Sequence, residues 1–272
     1  IPDSVTEIGG VVFYGCSSLT SITIPEGVTL IRYYAFWNCS NLASVSIPSS
    51  VTTIEMEAFA GCTGLASVAI PNSVKTIGLE AFAGCTGLTG ITIPGSVTNI
   101  AYYAFIGCSN ITSLAVDKGN TVYDSRENCN AIIISSSNTL QIGCAATRIP
   151  EGVVKIACGA FASLDGLEDI VIPESVLDIE ELAFHGNSNL EEVVICGPLK
   201  HLRQSAFSAC ESLKRLYLPV GIKKISATFD DCNLKEISVP LGKVEYYKRR
   251  LHESLHTLIV ENFEIPDVPF DI

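Results

Sequence analysis

Residues 71–93 read PNSVKTIGLEAFAGCTGLTGITI, and most of the chain repeats this stretch every 23 residues. Each copy has a proline at its start, a phenylalanine near its middle and a cysteine three residues after the phenylalanine. The first five copies place them at Pro2, Pro25, Pro48, Pro71 and Pro94, at Phe13, Phe36, Phe59, Phe82 and Phe105, and at Cys16, Cys39, Cys62, Cys85 and Cys108. A fixed period of this length predicts a solenoid or another repeat array.

The spacing within one copy predicts the parts of one rung. Residues 65–70 follow the pattern L-x-x-V-x-I, and the last three alternate apolar, small and apolar, which is typical of a short strand with one buried face. Pro71 ends that strand because it has no N–H to donate. Residues 74–77 predict a second short extended piece, and residues 80–85 predict a single helical or 3₁₀ turn that ends at Gly84. Since one rung buries too little apolar surface to offset its ordering, the copies are expected to stack.

The pattern L-x-x-I-x-I-P-x-S-V-x-x-I-x-x-x-A-F-x-G-C resembles the BspA-type leucine-rich repeat over almost the whole chain. This resemblance implies a β-rich α/β solenoid, a right-handed superhelix with a concave parallel sheet and short helical or 3₁₀ turns on its other side. The family is found in surface proteins of gut and oral anaerobic bacteria and is similar in use to adhesins and host-protein binders. The repeat by itself does not define what is bound.

We predict a solenoid over residues 1–240 with nine repeats marked by phenylalanine, a capping helix and strand over 241–260, and a tail over 261–272. The proline positions 117 and 150 lie 33 residues apart, so an insertion of ten residues falls at about 117–149. Within it, two β-prone stretches, 131–135 and 139–142, flank a turn signal and predict a hairpin. Cys129 and Cys144 flank this hairpin, and the sequence leaves open whether they pair.

The C-terminal cap is predicted from a change of period. Val244, Tyr247, Leu251 and Leu255 are spaced by three and four residues, which is typical of an amphipathic helix. The basic run at 248–250 is expected on its solvated face, and residues 256–260 are expected to add a last strand.

Charge and hydrophobicity exclude several classes of protein. The 272 residues carry a net charge of −12, which argues against nucleic acid or an anionic membrane surface as partner. Although 47% of the residues are hydrophobic, they sit at repeat positions, so no membrane insertion is expected. The chain starts inside a repeat, and we expect it to be part of a longer or processed protein whose targeting signal lies upstream.

The cysteines and histidines do not suggest catalysis. Most of the eleven cysteines share the slot between two core positions, which predicts free, buried thiols that pack as small hydrophobes. No cysteine or histidine spacing matches a metal site, and no cofactor is expected. His185 lies in a variable slot and is expected to be exposed. No histidine is expected to meet a serine or cysteine in register for nucleophilic catalysis, so the chain is not predicted to be an enzyme.

Two surfaces are candidates for binding. Outward-facing positions of the later strands form a charged column (Asp169, Glu192, Arg215 and Glu236) and a second column (Val171, Val194, Tyr217 and Ser238), whereas the earlier strands offer mainly Ser, Thr and Ala. Charged and aromatic residues favour recognition, although an ordinary solvated sheet looks similar. An aromatic patch on the turn side comprises Tyr14, Tyr33, Tyr34 and Trp37.

These observations favour a non-catalytic protein-binding or adhesion module at a bacterial cell surface or in a secreted protein. The expected partner is a host extracellular-matrix protein or a protein of a neighbouring cell. Carbohydrate binding, or a purely structural spacer that projects another domain, is the alternative.

Overall fold

The computed structural model describes residues 1–225 and 228–262. It is a β-solenoid of stacked parallel strands that divides into two compact units. The first comprises residues 1–137 and 141–147, and the second comprises residues 138–140 and the described residues from 148 onward. Of the tail predicted over 261–272, residues 263–272 lie outside the described residues.

The first unit contains two sets of short strands. Its strands are β1 (Ser21–Thr23), β2 (Leu30–Ile31), β3 (Ser44–Ser46), β4 (Thr53–Ile54), β5 (Thr76–Ile77), β6 (Gly90–Ile93), β7 (Asn99–Ile100), β8 (Ser113–Val116), β9 (Tyr123–Asp124) and β10 (Ile132–Ile134), with a 3₁₀ helix at Arg126–Asn128. Strands β2, β4, β5 and β7 form one parallel sheet, while β1 pairs with β3 and β6 pairs with β8. Each rung therefore contributes one short strand to the first sheet, in the register that the 23-residue period predicts.

The insertion contains the strands that its sequence predicts. Strand β10 is followed by a turn and by β11 (Thr139–Ile142). The Gln141 side chain donates to the Ile100 carbonyl at 2.5 Å, and the Tyr123 hydroxyl accepts from the Ile100 N–H at 2.9 Å. These two hydrogen bonds satisfy the N–H and the carbonyl of Ile100 in β7. The regular rungs of this unit are interrupted after this strand.

The second unit repeats the arrangement with longer outer strands. Its elements are β12 (Lys155–Ile156), β13 (Asp169–Ile172), β14 (Asp178–Ile179), β15 (Glu192–Ile195), β16 (His201–Leu202), β17 (Arg215–Tyr217), β18 (Lys224–Ile225), β19 (Glu236–Val239), helix α1 (Val244–Lys248), a 3₁₀ helix (Glu253–Leu258) and β20 (Ile259–Glu261). Strands β13, β15, β17, β19 and β20 form a five-stranded parallel sheet, here called the outer sheet. Strands β12, β14, β16 and β18 pair in parallel beside it.

The repeated phenylalanines form the centre of each unit's core. Phe36, Phe59 and Phe82 are fully buried, and their rings stack with centroids 5.1 and 5.3 Å apart and nearly parallel planes. In the second unit, Phe161 and Phe184 stack at 4.9 Å. Stacking of like residues on successive rungs makes the stability of each rung depend on its neighbours.

The turn after each short strand is not the continuous helical or 3₁₀ turn predicted for residues 80–85. Gly84 has the expected positive φ of 65°, but Glu80 has a φ of 54° as well, and this second left-handed residue interrupts a helix. Local bonds, such as Ala83 N to the Glu80 carbonyl, alternate with bonds to the next rung, such as Phe82 N to the Ala104 carbonyl at 2.8 Å. At the left-handed residues the backbone changes direction, and every second N–H group of the turn donates to the neighbouring rung. The turns of successive rungs are therefore also joined by hydrogen bonds.

Two other predictions are wrong, because one predicted strand does not form and the C-terminal helix is shorter than expected. Residues 65–70, although described, form no strand. Ala66, Ser67 and Ala69 supply little side chain for the cross-strand packing that stabilises a sheet position. The predicted C-terminal helix is also shorter, because α1 ends at Lys248 and His252 has an extended backbone with ψ of 144°.

The cap otherwise forms from the predicted residues. Tyr247 is fully buried and its hydroxyl donates to the Pro219 carbonyl. Strand β20 pairs with β19 in parallel and covers 259–261, whereas the sequence predicts the last strand over 256–260. Arg250 is not simply solvated, since its guanidinium lies 3.5 Å from the centre of the Tyr246 ring.

Candidate binding surfaces

The outer sheet of the second unit places the two predicted columns in register. Asp169 pairs with Glu192, Glu192 with Arg215, and Arg215 with Glu236. Val171, Val194, Tyr217 and Ser238 follow the same order two residues further along each strand. The register arises because the repeats before these strands keep nearly the same length, so equivalent residues meet on adjacent strands.

Charges within the charged column are partly paired. The Arg215 Nε donates to Glu192 Oε2 at 2.5 Å, and this carboxylate raises the pKa of Arg215. Asp169 is exposed at the start of the column, and Glu236 accepts a hydrogen bond from the Ser238 hydroxyl at 2.7 Å. The column thus presents one arginine among three acids.

A third column, which the sequence interpretation missed, lies beside it at Glu168, Glu191 and Lys214. Lys214 Nζ donates to Glu191 Oε1 at 2.8 Å and lowers the pKa of Glu191. The signal was present in the sequence, because these residues are also 23 apart. They were overlooked because they precede the strands rather than lying within them.

The three columns border an open depression of about 730 Å³. Four acidic residues form the largest group in its lining, Asn189, Ser212 and Arg215 complete the polar groups, and Ile170, Val171 and Val194 are apolar. It is a shallow, acidic surface suited to a partner that presents basic and polar groups, rather than a closed pocket for a small molecule.

Burial corrects one part of the predicted surface. Val194 is only 2% exposed, since its in-register neighbours Val171 and Tyr217 flank it on both sides. Ser238 is likewise only 4% exposed. The second column therefore offers Val171 and Tyr217 to a partner, and the expected continuous apolar stripe is interrupted.

The outward-facing positions of the earlier strands carry small, uncharged side chains, as their composition predicts. Ser21 pairs with Ser44 between β1 and β3, and Thr92 pairs with Ala115 between β6 and β8. Small side chains of this kind give a partner few anchors.

The predicted aromatic patch forms two separate ring pairs. Tyr14 and Trp37 stack on each other with centroids 4.5 Å apart, whereas Tyr33 and Tyr34 meet edge to face at 6.1 Å. Tyr34 donates from its hydroxyl to Glu57 at 2.9 Å, and this bond is the main cause of its raised pKa. Tyr14 and Tyr33 are exposed, while Tyr34 and Trp37 are half-buried.

One expectation about histidine is wrong. His185 is half-buried, and its Nδ1 lies 2.8 Å from the Ser208 hydroxyl, because the two residues are 23 apart and meet on neighbouring rungs. The hydroxyl donates to the Ser205 carbonyl at 3.0 Å, so its proton is directed away from the imidazole. Ser208 is also 8% exposed. The contact resembles a structural hydrogen bond and lacks the proton path that an activated nucleophile needs.

The cysteines are largely buried, and none of the eleven, all of which lie in described positions, is in a disulfide. Cys129 and Cys144 are both free thiols in this structure. Two members of the ladder depart from full burial, since Cys16 is exposed and Cys232 is half-buried. Across residues 1–225 and 228–262, no cluster of three or more His, Cys, Asp or Glu could hold a metal ion.

Stacked parallel strands, a phenylalanine core and one turn per 23 residues define a leucine-rich-repeat solenoid. A family model described as the BspA type leucine rich repeat region matches six copies over residues 1–116 and 134–256. The chain therefore belongs to the BspA-type leucine-rich repeat family.

Solved structures support the same fold. A leucine rich cell surface protein from Faecalibacterium prausnitzii is 31% identical, with a TM-score of 0.67 over 88% of this chain and 72% of that chain. Leucine-rich repeat proteins from Eubacterium ventriosum (21% identity, TM-score 0.58, 88% and 79% coverage) and Bacteroides ovatus (22%, 0.51, 97% and 91%) are similar in fold. No curated protein matches the chain. Within the described ranges, no helix has the length and apolar character needed to cross a bilayer.

Proposed function

We propose that the chain is a non-catalytic module that binds a protein ligand at a bacterial cell surface or in a secreted protein. The observation that carries this proposal is the charged column, in which exposed Asp169 and the Glu192–Arg215 pair lie on neighbouring strands beside an open depression. Paired charges around a shallow surface give a protein partner orientation and specificity. The location follows the Faecalibacterium relative, which is described as a cell surface protein.

A ligand for this surface must be large enough to span several strands. Neighbouring strands lie about 4.8 Å apart, so the column from Asp169 to Glu236 extends for roughly 14 Å. Tyr217 and Arg215 are residue types that often supply most of the energy of an interface. A host extracellular-matrix protein or a protein of a neighbouring cell would present such an area.

Carbohydrate binding is the second candidate, and the stacked Tyr14–Trp37 pair favours it. These rings lie on the turn side of the first unit, with Tyr14 49% exposed. A sugar could stack on such a face, while a pure spacer would bind at neither surface. A panel of immobilised matrix proteins tested beside a glycan array separates these functions.

For a protein ligand found in that panel, Arg215→Ala combined with Tyr217→Ala is expected to weaken binding at least about tenfold. The melting temperature should change little, because Arg215 is exposed and Tyr217 is half-buried on the outer sheet. The matched control places Glu at Ser44 and Lys at Ser67, on the bland early face, and should leave affinity unchanged. Loss of binding in the control with none in the Arg215/Tyr217 variant would place the site on the early strands instead.

A further inference from the structure

A row of large apolar side chains is exposed on the turn side of the first unit. Tyr33, Met56, Leu79 and Tyr102 occupy the same position in four successive rungs, here called the apolar column. They are 46%, 37%, 39% and 55% exposed. A contiguous apolar row on neighbouring rungs differs from scattered surface hydrophobics, which need no explanation.

An acidic column lies directly beside it, formed by Tyr34, Glu57, Glu80 and Tyr103 at the next residue of each rung. The edge-to-face contact of Tyr33 with Tyr34 shows that the two columns are adjacent. Partial burial, with the neighbouring Glu57 charge, raises the pKa of Glu80. Neither Glu57 nor Glu80 takes part in an ion pair among the described residues. Two carboxylates between tyrosines thus lack a cation.

The second unit does not repeat this surface. At the positions equivalent to the apolar column it has Cys158, Glu181 and Gln204, and at those equivalent to the acidic column it has Gly159, Leu182 and Ser205. Apart from Leu182, the same backbone turn therefore carries polar or small residues there. The apolar and acidic columns consequently reflect the side chains chosen in the first unit rather than a requirement of the repeat.

The distance between rungs favours a partner that is helical rather than extended. Neighbouring strands lie about 4.8 Å apart, and successive phenylalanine rings in this unit lie 5.1 to 5.3 Å apart. Both distances are close to the roughly 5.4 Å pitch of an α-helix. A helix along the columns would place one turn against each rung, whereas a strand advances about 3.3 Å per residue and loses this register. The four rungs would accommodate about three helical turns, or roughly 11 residues.

From these contacts we propose that the apolar and acidic columns bind an amphipathic helix of another protein that has an apolar stripe flanked by lysine or arginine. The apolar stripe packs on Tyr33, Met56, Leu79 and Tyr102, and the basic side chains meet Glu57 and Glu80. A second copy of this chain fits poorly, because its acidic column would add carboxylates to carboxylates. This surface is separate from the charged column of the outer sheet, so either proposal can fail without the other.

The test uses the full chain and synthetic helical peptides of about 15 residues. The first peptide has leucines at helical spacing with flanking lysines, the second replaces lysine by glutamate, and the third has the first peptide's composition with strictly alternating leucine and lysine. Fluorescence anisotropy is expected to show binding of the first peptide only, weakened by added salt. Glu57→Gln with Glu80→Gln, or Met56→Ser with Leu79→Ser, should each weaken binding about tenfold or more.

A matched control makes the outcome specific. Glu181→Gln with Leu182→Ser changes equivalent positions of the second unit, and it should leave binding of the first peptide unchanged. Circular dichroism melts of all variants report whether they remain folded, as expected for side chains on the surface. The proposal is overturned if the first peptide does not bind, or if the glutamate or alternating peptide binds equally well. It is also overturned if the control variant weakens binding as much as the column variants. Sedimentation that shows two copies of the chain joined through this surface would likewise contradict it.

Discussion

The thiol three residues after each repeated phenylalanine acts as a hydrogen-bond donor as well as a packing group. Cys62 Sγ lies 3.2 Å from the Phe36 carbonyl of the preceding rung, and Cys85 Sγ lies 3.1 Å from the Phe59 carbonyl. Where asparagine replaces cysteine, Asn187 donates to the Phe161 carbonyl at 2.9 Å. In these rungs the slot holds a small buried donor, whereas Leu164 fills it in another rung without one. The interpretation of the cysteines as simple hydrophobes did not include this hydrogen bond.

This role predicts the order of two substitutions at Cys85. Cys85→Val removes this donor and leaves the Phe59 carbonyl with the Cys62 N–H alone, at 3.1 Å, which should lower the free energy of unfolding by roughly 0.5–1.5 kcal/mol. Cys85→Ser keeps a donor at the same place and should be less destabilising. Urea unfolding of both variants measures the difference, and a valine variant at least as stable as the serine variant would show that the slot needs only apolar volume.

Among the larger elements, the cap depends on contacts that the preceding rungs cannot replace. Strand β20 covers the edge of β19, and helix α1 inserts the buried Tyr247 against the last rungs. The Tyr246 hydroxyl adds a bond to the Ile222 carbonyl at 2.7 Å. An uncovered strand edge beside apolar side chains is a site of aggregation.

Deletion of residues 241–272 is therefore expected to cause aggregation or the cooperative loss of the last repeats. Light scattering and thermal unfolding measure the two outcomes. A chain that ends after residue 262 keeps the named contacts and serves as the control. A soluble monomer with unchanged melting after the longer deletion would show that the cap is dispensable.

Across the protein as a whole, the ionisation of buried thiols makes the free energy of unfolding depend on pH. Burial raises the pKa of Cys39, Cys129, Cys144 and Cys196 above the ordinary thiol value, and burial raises the pKa of Cys62 to about 12. In the unfolded chain these thiols ionise near pH 8.5. Because the folded pKa is the higher one, the unfolded state gains stability first as pH rises.

Stability is thus expected to be unaffected by these thiols below about pH 8.5 and to fall above it, by up to roughly 1.4 kcal/mol per pH unit for each such thiol. Urea midpoints measured between pH 7 and pH 10 test this. Cys62→Ser removes one titrating thiol and should reduce the slope. An equal slope in that variant, or a midpoint that rises with pH, would contradict the assignment.

The 23-residue period by itself determined the rungs, the phenylalanine core and the register that aligns Asp169 with Glu192 and Arg215. These features depend on sequence distance alone, because equal repeats bring equivalent residues onto adjacent strands. The tertiary structure decided what depends on side chains from other rungs. Val194 is covered because Val171 and Tyr217 flank it, His185 reaches Ser208, and the left-handed Glu80 lies where local hydrogen bonds alternate with bonds to the next rung. Burial and backbone strain are properties of the stack, and a single repeat does not contain them.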